Sequence, residues 1–162
     1  ITLTTTTNSV WMGRLDTLGN ILWALKAENQ TQSFVGPLAV HPGGDLFASV
    51  SYQGVNFVFG NINVPNASSQ DYVVARIDTT GNIKWLNKFG GQGSESLGGI
   101  ISDENGRLFG IGRNTNTLTL GTFTLPTPGL FLTELDAGNG STQWVSGMSS
   151  PGGNVFGQAI LS

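Results

Sequence analysis

Residues 71–113, DYVVARIDTTGNIKWLNKFGGQGSESLGGIISDENGRLFGIGR, hold four short apolar runs with a turn or glycine-rich link between each pair. The runs are Val73–Ile77, Ile83–Phe89, Leu97–Ser102 and Arg107–Gly112. Between the first two lies Asp78-Thr79-Thr80-Gly81-Asn82, and between the last two Asp103-Glu104-Asn105-Gly106. In such turns glycine supplies the positive φ and aspartate ties down the loop backbone, so each pair reads as a β-hairpin. Gly90-Gly91-Gln92-Gly93-Ser94 is a flexible link between the hairpins. No longer segment keeps a helical apolar period, which predicts an all-β chain.

Moving outward, the same text recurs. MGRLDTLGNILWALKA (12–27) lies over VARIDTTGNIKWLNKF (74–89) and, more loosely, over LTELDAGNGSTQWVSG (132–147). Asp16, Asp78 and Asp136 mark one repeated position; Trp23, Trp85 and Trp144 mark another, at a period of about 60 residues. GPLAVHPGGDLFASVS (36–51) lies over GGIISDENGRLFGIGR (98–113), and Phe57–Gly60 over Leu118–Gly121. A four-stranded antiparallel unit at fixed period is the signature of a β-propeller blade, which covers its faces by stacking on its neighbours. The expected layout is a single segment, 1–162. It has a partial unit at 1–35, full blades at 36–93 and 94–150, and a partial unit at 151–162. The run Leu118–Leu125 reads as a β-bearing connection inside its unit.

Composition agrees with short strands and tight turns. The chain has 24 glycines, only 10% charged residues and a net charge of −3. Seven Lys plus Arg give no basic footprint for nucleic acid. With no cysteine, disulfides and thiolate metal sites are excluded. No run of about 20 apolar residues is present to insert into a bilayer, and no stretch has a signal-peptide pattern. The chain starts at Ile1 in the polar run ITLTTTT, which predicts a processed chain or a fragment.

The Asp-x-x-Gly-Asn turn, the apolar-x-Trp strand, Phe89-Gly90-Gly91 and the Asp-x-x-Gly hairpin together resemble the SBBP-type β-propeller repeat. Residues 71–121 carry nearly the whole motif. The first copy departs from it at Ala27–Thr31 and at His41-Pro42-Gly43-Gly44; the third departs at Asp136–Gly140 and Gly147-Met148-Ser149. The resemblance implies a bacterial or archaeal protein, secreted or on the cell surface, and brings no catalytic residues with it. Ile1-Thr2-Leu3 lies over Phe123–Leu125, and Gln158–Ser162 over Gly98–Ser102. Three units need about 180 residues, so one hairpin is missing from the count. The expected partners of the open edges are further copies of the chain or the rest of a longer one.

Chemical constellations are sparse. His41, the only histidine, stands in a turn, and Asp16, Asp45, Asp78, Asp103 and Asp136 read as turn-capping side chains. Glu28, Glu95, Glu104 and Glu134 are the carboxylates from which a glycosidase pair would be drawn, but no spacing brings two together. The glycines at 90–93 precede no helix and carry no Lys-Ser or Lys-Thr, so they do not make a phosphate loop. Trp23, Trp85 and Trp144 are expected between blades, whereas Trp11, outside the repeated position, is the exposed candidate for stacking on a sugar. Asn29, Asn66 and Asn139 fit the glycosylation sequon. No cofactor or metal site is expected. The reading is a non-enzymatic, extracellular or cell-surface repeat module with a structural or adhesive role. A carbohydrate-binding propeller is the alternative, and a propeller-fold glycoside hydrolase the weaker third.

Overall fold

The computed structural model describes Thr4 and residues 8–67 and 69–149 of the 162-residue chain. The expected partial unit at 151–162 and the run at 1–3 lie outside the described residues. Within them the chain is all-β, with 14 strands, no helix, and only antiparallel strand pairs. A first sheet has the order β1 (Asn8–Leu15), β2 (Ile21–Asn29), β5 (Phe57–Phe59), β6 (Ile62–Val64). The middle sheet has six strands. They run from β3 (Gln32–Val40) through β4 (Leu46–Gln53), β7 (Gln70–Ile77) and β8 (Ile83–Gly91) to β11 (Leu118–Leu120) and β12 (Phe123–Leu125). The third contains β9 (Glu95–Ser102), β10 (Leu108–Asn114), β13 (Gly129–Leu135) and β14 (Thr142–Ser149), in that order. The described strands do not close into a ring.

The two short hairpins correct the expected unit. The segments read as connections leave their own sheets and pair with the last strand of the preceding one. Phe59 and Val58 of β5 pair with Ala27 and Glu28 of β2. Leu118 and Thr119 of β11 pair with Gly91 and Gly90 of β8. The cause is the exposed outer edge of β2 and β8, whose peptide groups need partners. The apolar residues of the hairpins are then buried: Phe57, Phe59, Leu118 and Leu120 are fully inaccessible. The repeat in sequence and the sheet in space are therefore offset, and the first two sheets are each finished by a clasp from the next unit.

The middle sheet is covered on both faces, and its period-two alternation sorts side chains between two cores. Along β7, Val73, Ala75 and Ile77 join Val10, Trp23 and Ala27 of the first sheet. The alternate residues Tyr72 and Val74 join Leu97, Leu108, Phe131 and Leu135 of the third. Aromatic pairs stiffen both cores, Tyr52 on Phe57 at 4.2 Å and Tyr72 on Phe89 at 5.4 Å. Each core thus lies at a joint between sheets.

Candidate functional site

Five turns are built alike, each with a glycine at positive φ: Gly19, Gly44, Gly81, Gly106 and Gly140. The Asp78 carboxylate accepts the Thr80 N–H at 2.9 Å, the Thr80 hydroxyl at 2.7 Å and the Asn82 N–H at 2.9 Å. The Thr80 hydroxyl and the Asn82 N–H hold its pKa far below the usual carboxylate range. Asp16 accepts from Leu18 and Asn20, and the Asn20 side chain and backbone lower its pKa likewise. Asp136 accepts the N–H groups of Gly138 and Asn139. At Asp103 burial alone would raise the carboxyl, but the Arg107 N–H and guanidinium outweigh it. In the remaining turn His41 takes the aspartate's place, its Nδ1 accepting the Gly43 N–H at 2.9 Å.

Asp45 departs from the turn-capping expectation. It follows its turn, is 6% exposed, and binds Arg76 Nε at 2.7 Å and Lys84 Nζ at 2.9 Å. Burial pushes its carboxyl up; Lys84 and Arg76 more than offset this and leave it lowered.

The turns also connect the sheets. Arg14 and Trp23 are cross-strand partners, and both donate to the carbonyl of Thr79 in the middle sheet, at 3.2 and 3.1 Å. One repeat later Arg76 and Trp85, again opposite each other, both donate to the Ala137 carbonyl at 2.9 Å. A register shift follows Arg14 and Arg76 alike, at the same place in each strand. The glycine of the receiving turn lies against the indole. A Cβ at Gly81 would stand 2.8 Å from Trp23, and one at Gly140 2.7 Å from Trp85. In the third unit Glu134 replaces the arginine, and its Oε2 accepts the Trp144 N–H at 2.6 Å within one sheet. Trp144 is 39% exposed. Trp23 and Trp85 therefore bridge sheets, and Trp144 does not bridge any among the described residues.

A buried acidic pair occupies the second joint. Asp71 on β7 and Glu95 on β9 are both fully inaccessible. Lys88 Nζ is 2.7 Å from Asp71 Oδ2, and Glu95 Oε2 accepts the Gly91 N–H at 3.0 Å. Burial, reinforced by Asp71, pushes the Glu95 carboxyl up to about 7, against the pull of the Gly91 N–H. The Gly90 Cα leaves room for the Asp71 carboxylate that a Cβ would take. Neither acid lines either of the two clefts described below. The other glutamates lie apart: Glu28 is paired with Lys26 at 2.6 Å on β2, Glu104 is in a turn, and Glu134 holds Trp144.

Two clefts open where neighbouring sheets meet, and the repeat relates them. The first, about 620 Å³, is lined by Trp11, Lys26, Asn61 and Asn82, among others. The second, about 480 Å³, has Lys88, Thr122 and Ser141 at the corresponding positions. Trp11 corrects its expected exposure: it is only partly exposed, less than Trp144, with the Lys26 ammonium 5.8 Å from its ring centre. Asn29 is buried, and its Nδ2, where a glycan would attach, donates to the carbonyls of Gln32 and Gln53. The sequon there is closed by that geometry. Asn66 is exposed, accepting the Asn56 N–H, and Asn139 is exposed, its side chain accepting the Ser141 N–H.

Three participants escaped the sequence reading. Arg14 and Arg76 had a signal, since both stand two residues before a repeated aspartate. Asp71 had a weaker one, an acid opening the apolar run Tyr72–Ala75. No protein-family model matches the chain, and no curated protein matches it.

Proposed function

We propose that the chain is a non-enzymatic segment of a β-propeller-type repeat array, akin to the SBBP repeat, with a structural or adhesive role outside the cell. The three sheets are its blades, and further copies of the repeat, in the same chain or another, are its partners. The observation that carries this reading is the clasp. Each hairpin closes the outer edge of the preceding sheet, and among the described residues the long strands that stay at a sheet edge are β1, β3, β9 and β14. Long edge strands are templates for strand addition. Low charge, abundant hydroxyl and amide side chains and the absence of cysteine suit an extracellular module.

Native mass spectrometry and light scattering of the 162-residue chain test the reading. Dimers, larger oligomers or fibres are expected. A monodisperse 17.0 kDa monomer that unfolds in one cooperative step overturns it.

A further inference from the structure

We propose that the cleft at the first joint binds a neutral oligosaccharide, with Trp11 as its stacking platform. The cleft's volume of about 620 Å³ falls in the range of small-ligand sites, roughly 300–1,000 Å³. Its lining suits a sugar in chemistry as well as size. A sugar ring offers a C–H face to an aromatic plane and hydroxyls to amide groups at its rim.

Trp11 supplies the plane. The Lys26 ammonium, from the neighbouring strand, lies over one face of the ring 5.8 Å from its centre. Asn61 and Asn82 supply amides at exposed positions. The Asn82 amide nitrogen donates to Asp78 Oδ2 and Thr80 Oγ1, which fixes its side chain before any ligand arrives. Gly60 and Gly81 add lining with no side chain to fill the space. Neutrality follows from Lys26, whose charge is already matched by Glu28 at 2.6 Å.

The second cleft sharpens the assignment because the repeat supplies an internal control. Lys26 corresponds to Lys88, but the position of Trp11 corresponds to Val73, which is fully buried. The second cleft therefore carries no indole at this position, which agrees with one sugar site per chain. Trp11 stands on β1, so the sugar would use a side chain of that edge strand but none of its backbone groups, and assembly is read separately from the mass of the chain.

The experiment is a calorimetric and tryptophan-fluorescence titration of the 162-residue chain with cellotetraose, maltotetraose, laminaritetraose and chitotetraose. Saturable binding of at least one at one site per chain is expected. Trp11→Ala should weaken it roughly tenfold or more, while Trp144→Ala leaves it unchanged. Should Trp11→Ala fail to fold, Trp11→Phe and Asn61→Ala decide: binding retained in the first and weakened in the second supports the site. Absence of saturable binding to all four sugars, or binding indifferent to these cleft substitutions, overturns it.

Discussion

The two joints share one lock and differ in what they enclose. At both, a tryptophan and an arginine on adjacent strands donate to one turn carbonyl of the next sheet, and a glycine of that turn lies flat on the indole. Inside the first joint the buried polar group is Asn29, whose amide nitrogen reaches two backbone carbonyls. Inside the second it is the Asp71, Lys88 and Glu95 cluster, two buried carboxyls against one ammonium. The lock depends only on neighbouring turns, so any unit that has Arg, Trp and an aspartate turn closed by a glycine can form it. The enclosed polar groups depend on one particular pair of sheets, and they set how each joint responds to its surroundings.

The largest effect should come from the lock itself. Trp23→Ala or Trp85→Ala should cost about 3–5 kcal/mol in urea unfolding, through lost packing and a lost bridge between sheets. Trp144→Ala, at the same repeat position but bonded within its own sheet, should cost below about 1 kcal/mol. Equal losses at all three would show that the indoles act within sheets and not between them.

The enclosed groups should separate the joints by pH. Glu95 has its folded pKa raised to about 7, so the folded state binds its proton more tightly than the unfolded chain does. Its contribution is fully present below the ordinary carboxylate pKa and is lost as pH rises toward 7. Stability should fall across that interval by roughly 2–3 kcal/mol. Glu95→Gln, which mimics the protonated acid, should flatten the slope and raise stability at pH 8; an unchanged slope would remove the pair from the account. The smallest effect is expected at the turns. Asp78→Ala should lower Tm by only a few degrees, since the Gly81 N–H still reaches the Asp78 carbonyl at 3.0 Å.

What could be read from sequence was what is local. The turn at Asp78 is visible because aspartate, glycine and asparagine within five residues specify both its capping and its positive φ. Strands β7 and β8 are visible because alternation and β-branched residues agree over their length. The destination of Leu118–Leu125 was not, since its pattern is the same whether it pairs in its own sheet or with Gly90 and Gly91. Asp71 and Glu95 are 24 positions apart, and only the stacking of two sheets makes them neighbours. The Trp11 cleft lies between, for its part, residues as distant as Lys26 and Asn82. The role of Asp45 was hidden for a similar reason, its partners Arg76 and Lys84 arriving from later strands.

The clasp has a consequence for the order of events on a ribosome. The middle sheet begins at Gln32, but its outermost strand ends at Leu125. By then β9 and β10 of the third sheet have already been synthesised. Neither of the first two sheets can be completed before its successor has started, so these units mature in an overlapping pair rather than one at a time. A pause in translation after Gly91 would leave the middle sheet with its long outer strand bare, awaiting a hairpin still to be made.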